Sequence, residues 1–286
     1  MIVVRTVAEL RAAVRAARVK GARIGLVPTM GAFHEGHRTL MRRAKEHSGV
    51  VVVSLFVNPA QFNEAADLKR YPRNEAQDAE LAQSAGVDIL FAPSVSEVYP
   101  TGFSTTVEVS VLSEPLEGAV RGPQHFRGVA TVVAKLLNMV QPDHAFFGQK
   151  DAQQALLLRR MVRDLDMPVT VEICPTVREP DGLAMSSRNA LLDAAARSKA
   201  PAISRALFAV RDAVASGERV AARAIAAGRA ILAIEGIAPE YLEAVSTETL
   251  APVETIDREA LIAIAARVGN VRLIDNVLVG GPAARA

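Results

Sequence analysis

The stretch Val50 to Val57, V-V-V-V-S-L-F-V, is apolar almost without a break. A strand with one wet face alternates apolar and polar side chains, whereas a run without alternation fits a parallel strand covered on both faces. Other short apolar runs lie at residues 2–4, Ile24 to Val27, Asp88 to Phe91, Asp143 to Phe147 and Val169 to Cys174. Between them, Val7 to Val19, the chain from Gly36, a segment ending at Gly86, Gly128 to Val140 and the stretch from about Ala152 to Leu165 carry apolar residues at helical spacing. Strands alternating with such helices imply βαβ units, a parallel sheet and right-handed crossovers. Residues 93–126 hold no long helix, and a further strand is expected at Thr105 to Val109.

After Cys174 the composition shifts. A turn-rich loop, P-T-V-R-E-P-D-G-L-A-M-S-S-R-N-A-L-L, leads into alanine-rich helical stretches at Ala194 to Val214 and Ala221 to Ile234. Strand-like runs follow at Tyr241 to Val245, Leu261 to Ala265 and Val271 to Val277, the order of a small α+β domain. Pro175 is the expected boundary, giving domains 1–175 and 176–286, and Gly280 to Ala286 reads as a tail.

Of 286 residues, half are hydrophobic and 22% charged, ordinary for a globular protein with a sizeable core. Thirty-three basic against 31 acidic residues leave a net charge of +2, which does not point to a nucleic-acid surface. No apolar run reaches the ~18 residues of a membrane span, and charges come too early for a signal peptide. A cytoplasmic protein without a membrane partner is therefore expected. The single cysteine, Cys174, reads as a buried core thiol and offers no metal cluster.

Ligands of parallel sheets sit beyond the carboxyl ends of the strands. The most informative end is V-P-T-M-G-A-F-H-E-G-H-R-T-L, Val27 to Leu40, where an apolar run breaks at Pro28 and Gly31 and a helix begins. His34 and His37 are three apart, so on an opening helical turn they share a face. Unpaired N–H groups and partial positive charge at a helix start, together with two imidazoles, suit a phosphate. A zinc pair is the weaker reading, since no H-E-x-x-H spacing and no cysteine lies nearby. Two further strand ends carry Asn58-Pro59-Ala60-Gln61 and Gly148-Gln149-Lys150-Asp151. Lys150 is one of only six lysines; it reads as ligand-facing, with an exposed ion pair to Asp151 as the plainer alternative. Gln61 and Gln154 are neutral donors and acceptors suited to a hydroxyl-bearing substrate. Ser186-Ser187-Arg188 supplies two hydroxyls and a guanidinium suited to phosphate oxygens, or simply a helix cap, and the local sequence leaves both open.

No G-x-x-x-x-G-K-[ST] and no G-x-G-x-x-G occurs, which excludes a P-loop and the dinucleotide fingerprint. The residues alone therefore indicate an α/β enzyme that handles a nucleotide's phosphates. The segments P-T-M-G-A-F-H-E-G-H, S-L-F-V-N-P-A-Q-F, F-R-G-V-A-T-V-V-A-K-L-L-N, F-F-G-Q-K-D-A-Q-Q and D-G-L-A-M-S-S-R-N-A-L-L together resemble the pantoate–β-alanine ligase family, within the H-x-G-H nucleotidyltransferase superfamily. The likeness runs in order over most of residues 1–195 and, with the length, over the whole chain. One departure is Gln149, where many relatives carry Glu.

The resemblance implies a Rossmann-like ATP- and pantoate-binding domain, a smaller C-terminal lid domain and a homodimer. It also implies condensation of pantoate with β-alanine through a pantoyl adenylate, with Mg²⁺ accompanying ATP and AMP and pyrophosphate released. By the same resemblance His34, His37 and Lys150 meet the ATP phosphates, Met30 lines that pocket, and Gly148 and Asp151 meet the ribose. Ser186, Ser187 and Arg188 cover the triphosphate with Met185 near the adenine, and Gln61 and Gln154 hold pantoate. Asn58, Tyr71 and Arg121 are carried over as substrate contacts. Another H-x-G-H nucleotidyltransferase would share the histidine turn without the Gln61/Gln154 pair. A tRNA synthetase would need an anticodon-binding region that the chain after residue 190 hardly accommodates, and a non-enzymatic nucleotide-binding module would bind ATP without turnover.

Overall fold

A computed structural model describes residues 1–280, so the last six residues of the expected tail lie outside the described chain. By contacts the chain forms two units, Met1–Gly148 with Gln153–Pro175, and Gln149–Ala152 with the chain from Thr176. In order, the elements up to Cys174 are β1 (Ile2–Val4), α1 (Val7–Val19), β2 (Ile24–Thr29), α2 (Glu35–His47), β3 (Val50–Leu55), α3 (Ala65–Arg70), α4 (Glu75–Ser84), β4 (Ile89–Phe91), α5 (Val95–Val98), α6 (Glu117–Arg121), α7 (Pro123–Val140), β5 (His144–Gly148), α8 (Ala152–Asp164) and β6 (Thr170–Cys174).

The six strands form one sheet in the order β1-β4-β3-β2-β5-β6, and every pairing is parallel. Val51, Val52 and Val53 are wholly buried, as an unalternating strand covered on both faces requires. Helix α1 starts on a capping box: Thr6 accepts from the Glu9 N–H, and the Glu9 carboxylate reaches back to the Thr6 N–H. Helix α7 is apolar on most of its circumference and buries residues along its whole length from Phe126 to Val140. Strand order reverses between β2 and β5, which is where a doubly wound sheet opens a crevice at the strands' carboxyl ends. The turns after β3 and β2 are therefore neighbours.

Two expectations differ from the structure. Thr105 to Val109 is not a strand: the Val107 N–H donates to the Thr131 hydroxyl at 2.9 Å, so a side chain, not a neighbouring strand, satisfies it. Ala194 to Val214 is not one helix but two, α9 (Ala194–Lys199) and α10 (Ala202–Ala215). Pro201 stands at the junction, where its missing N–H cannot extend the first helix.

The remaining elements are α11 (Ala221–Ile234), β7 (Pro239–Ser246), β8 (Ala260–Val268) and β9 (Val271–Val279). The strands make an antiparallel sheet in the order β7-β8-β9. Ile203, Leu207 and Val210 of α10 and Ile262 and Ile264 of β8 join one apolar core. The fold is thus α/β, a Rossmann-like parallel-sheet unit and a small α+β unit. Among the described residues no helix is long and apolar enough to cross a membrane.

Candidate active site

The chain leaves β2 through a turn that only glycine can begin. Gly31 has φ +89°, and a Cβ there would stand 2.7 Å from Leu55 Cδ1 and 2.8 Å from Asp78 Oδ2. Ala32 follows with φ +53°. The turn is held by Asp78 of α4, a carboxylate only 2% exposed. Its Oδ1 accepts from Phe33 N–H at 2.7 Å and its Oδ2 from Ala32 N–H at 2.9 Å.

This turn delivers His34 to the N-cap of α2 in an unusual capping box made of two imidazoles. His34 Nδ1 accepts from the Gly36 N–H at 3.1 Å, and His37 Nδ1 accepts from the His34 N–H at 3.3 Å. The ring centroids stand 4.2 Å apart. With Nδ1 of each ring an acceptor, the neutral rings carry their proton on Nε2, a tautomer that donates. Two Nε2–H donors at a helix N-terminus favour an oxyanion. Met30, half-buried, lies just before the turn.

Beyond β3, a 3-10 turn at Pro59–Gln61 is fixed from below by Asn58. Asn58 is 1% exposed. Its amide donates to Gln61 Oε1 at 2.9 Å and to the Gly128 carbonyl at 3.1 Å, while its Oδ1 accepts from the Tyr99 hydroxyl at 2.8 Å and the Ala60 N–H at 3.3 Å. With both amide hydrogens and both acceptor positions engaged, Asn58 orients Gln61 and has no polar position left for a substrate. Burial pushes the Tyr99 hydroxyl up to about 12, so it remains a donor at neutral pH. The Gln61 carbonyl meets His125 Nδ1 at 2.8 Å, and Asn63 donates to the Arg121 carbonyl. The Arg121 side chain pairs with the buried Glu117 at 2.8 Å. Asn58 and Gln61 are thus joined in one network with Tyr99 and His125, and Asn63 and Glu117 hold Arg121. Tyr71 packs edge-on against Phe62, centroids 5.7 Å apart. Gly148 ends β5, and the half-buried Gln154 lies in the first turn of α8.

In the second unit, Lys150 and Asp151 lie on a 3-10 turn, Gln149–Asp151. Lys150 Nζ stands 3.3 Å from Asp151 Oδ1, so the ion pair forms, yet the lysine side chain is only 19% exposed. The loop after Thr176 folds back on itself through an antiparallel bridge between Arg178 and Ala184, with Gly182 at φ +90°. Met185 N–H donates to the Val177 carbonyl at 2.9 Å. Ser186 then caps a 3-10 helix, Ser187–Leu191, its hydroxyl accepting from the Arg188 N–H at 3.2 Å. The capping reading of this cluster is therefore realised, while Ser187 and Arg188 stay exposed. Lys150, Ser186, Arg188, Asn189, Arg272 and Asp275 line one pocket, with three cations on its wall.

Sequence reasoning missed Asp78, Tyr99, Arg178, Asp275 and Asn276. Each acts through backbone or buried partners far off in the chain, a relation that leaves no local motif.

A parallel sheet with a histidine-capped helix at its switch point, and a cationic pocket in a second unit, defines a Rossmann-like α/β enzyme of the H-x-G-H nucleotide-handling class. The family model for pantoate–β-alanine ligase matches residues 2–278. The chain belongs to the pantoate–β-alanine ligase family, and is thereby a ligase. The pantothenate synthetase of Cereibacter sphaeroides is 53% identical over 275 residues, covering 96% of this chain and 98% of that protein. The crystal structure of pantothenate synthetase from Thermus thermophilus matches with TM-score 0.91 and 49% identity over 99% of this chain and 100% of that one. A pantoate–β-alanine ligase from Francisella tularensis, solved with a β,γ ATP compound and β-alanine, matches with TM-score 0.77 and 34% identity over 97% of each chain.

Proposed function

We propose that the enzyme condenses pantoate with β-alanine in two steps at the expense of ATP. In the first, a pantoate carboxylate oxygen attacks the α-phosphorus of ATP and the bond to pyrophosphate breaks, giving pantoyl adenylate. In the second, the β-alanine amine attacks the acyl carbon, AMP leaves with the bonding pair, and the amine loses a proton. Substitution at phosphorus needs positioning and neutralisation of growing negative charge more than a protein nucleophile. The observation that carries the reading is the mutual capping of His34 and His37, which fixes two imidazole donors at a helix N-terminus beside the switch point.

On this reading His34, His37 and Lys150 donate to phosphate oxygens, and Met30 lines the same pocket. Gly148 and Asp151 meet the ribose. Ser186, Ser187 and Arg188 cover the triphosphate with Met185 near the adenine. Gln61 and Gln154 hold pantoate, with Tyr71 and Arg121 as further contacts, and Asn58 acts through Gln61. Mg²⁺ arrives with the nucleotide. Among the described residues no three His, Cys, Asp or Glu side chains gather to hold a metal, and Mg²⁺ commonly relies on substrate phosphates and water in place of a full protein cage. Bound there, it neutralises phosphate charge. An acyl adenylate open to water would hydrolyse, so the Gly182 to Asn189 loop serves as the closing lid of the 176–286 domain over the 1–175 substrate-binding domain. The working enzyme is a cytoplasmic homodimer, which light scattering tests.

The deciding experiment follows AMP release with ATP, Mg²⁺, pantoate and β-alanine, omitting each in turn. Release should need all four; AMP or ADP formed without β-alanine at an undiminished rate would remove the amide-forming step and favour another nucleotidyltransferase.

A further inference from the structure

Lys150 hangs from a 3-10 turn of three residues. The turn runs straight into α8 at Ala152, and two of its carbonyls take donors from outside it. They find them in a single side chain. Asn276 of β9 donates through Nδ2 to the Gln149 carbonyl at 2.8 Å and to the Lys150 carbonyl at 3.0 Å. Its Oδ1 accepts from Gln149 Nε2 at 3.3 Å, closing a ring of contacts around the turn. Asn276 is buried, 3% exposed. A buried amide in a strand is costly unless its hydrogen bonds are made, and here they are made to the backbone beneath Lys150.

The grip extends further. The Asn276 N–H donates to Asp275 Oδ1 at 2.7 Å. Asp275 is clasped in turn by Arg178, at 2.6 Å to Oδ2 and 3.1 Å to Oδ1. Burial pushes the Asp275 carboxyl up, and Arg178 opposes that push. Arg178 also donates to the Gly182 carbonyl at 3.1 Å, inside the loop that leads to Ser186 and Arg188. One network therefore runs from the carbonyls under Lys150, through Asn276 and Asp275, to the loop carrying the serines and arginine of the same pocket.

We propose that Asn276 is the positioning residue for Lys150, presenting its ammonium to the nucleotide phosphates, with Asp275 and Arg178 tying that placement to the Ser186–Arg188 loop. The proposal rests on Lys150 binding phosphate. A purely structural Asn276 would weaken the fold without regard to what stands at position 150; a positioning Asn276 has nothing to position once the ammonium is gone. The difference is read by a double-mutant cycle on MgATP affinity in the full-length protein, by titration calorimetry. Asn276→Ala is expected to weaken MgATP about tenfold, and Lys150→Met at least as much. The double variant should bind no more weakly than Lys150→Met alone. Equal weakening by Asn276→Ala in both backgrounds, or none in either, overturns the proposal and leaves Lys150 as a phosphate ligand. If Lys150→Met binds like the unaltered protein, the phosphate reading of Lys150 falls and takes the proposal with it. If circular dichroism shows Asn276→Ala unfolded, Asn276→Ser, which keeps one donor, carries the same cycle. Failure of both to fold makes Asn276 a stability element and overturns the positioning role.

Discussion

The carboxylate of Asp78 stands 2.7 Å from the backbone nitrogen of Phe33, and through it a helix 45 residues away in sequence sets the turn that presents His34. Its other oxygen holds the Ala32 N–H, so both donors of a strained turn depend on one side chain. Asp78→Asn keeps the shape but can accept through one oxygen only and turns an NH₂ group toward the second N–H. Leaving one buried donor unsatisfied costs about 1–3 kcal/mol. The variant should melt at a lower temperature and, because the turn carries the histidines, lose pantoate-dependent ATP–pyrophosphate exchange beyond what the melting shift explains. Full exchange activity would show that the turn holds without Asp78.

The two imidazoles yield a spectroscopic prediction as well as a kinetic one. With both Nδ1 atoms accepting, ¹⁵N-correlated spectra of the neutral rings should report the Nε2–H tautomer for His34 and His37. His37→Ala should lower exchange about a hundredfold, since losing one positioned donor typically removes roughly 3 kcal/mol of transition-state stabilisation. A near-normal rate with a folded variant would sink the assignment.

Gly128 of α7 is pressed against the turn that bears Gln61. A Cβ there would lie 2.2 Å from the Ala60 carbonyl oxygen and 2.7 Å from Gln61 N, a clash that no rotamer relieves because the neighbours are backbone. Gly128→Ala should destabilise by about 1–3 kcal/mol or more in urea unfolding. It should also raise the KM for pantoate by displacing Gln61, and an unchanged KM would argue that this turn does not meet pantoate.

Cys174 ends β6, buried at 6% exposure, and burial in apolar surroundings pushes its thiol up to about 11 from 9.0. The native state therefore holds its proton where the unfolded chain has lost it, so stability falls as pH rises between about 9 and 11. Cys174→Ala should flatten that part of the pH–stability curve. At about pH 8 the native thiol should react with a disulfide reagent far more slowly than the thiol of the urea-unfolded protein.

The segment leading into the Gly182 to Asn189 loop is latched by Arg197, which donates to Glu179 at 2.6 Å and to Asp181 at 2.5 Å. The Arg197 hydrogen bond holds the Asp181 carboxyl below its ordinary 3.8, so the latch is complete above that value and loosens as pH falls through the lower native value. If the loop closes over substrate, ATP with pantoate should slow its proteolysis at neutral pH. Identical cleavage with and without ligands would count against a lid there.

Strands whose two faces are both covered announce themselves, which is why the run from Val50 was legible and why the strand ends pointed to His34, Gln61 and Lys150. Proline and glycine mark those ends in the chain itself. Thr105 to Val109 had strand-like residues, but Thr131, 24 residues on from Val107, takes the backbone that a neighbouring strand would have used. Asp78 sits among acids that look like any solvated helix face, and Asn276 among strand residues that look like core. Their meaning lies in backbone groups 45 and 126 residues away. Ser186 shows a limit of another kind, since the same hydroxyl that suits a phosphate also caps a helix, and the local sequence could not separate the two.

Residues 149–152 pack with the chain beyond Thr176 although they sit between two elements of the parallel-sheet unit. The polypeptide therefore passes from one unit to the other three times, after Gly148, after Ala152 and after Pro175. A chain cut at Pro175 would keep Lys150 but lose Asn276, so the first unit, expressed alone, would be a parallel sheet with a loose lysine. The two units are laced, not strung, and shuffling the C-terminal one between relatives would have to carry a four-residue patch of the N-terminal sequence with it.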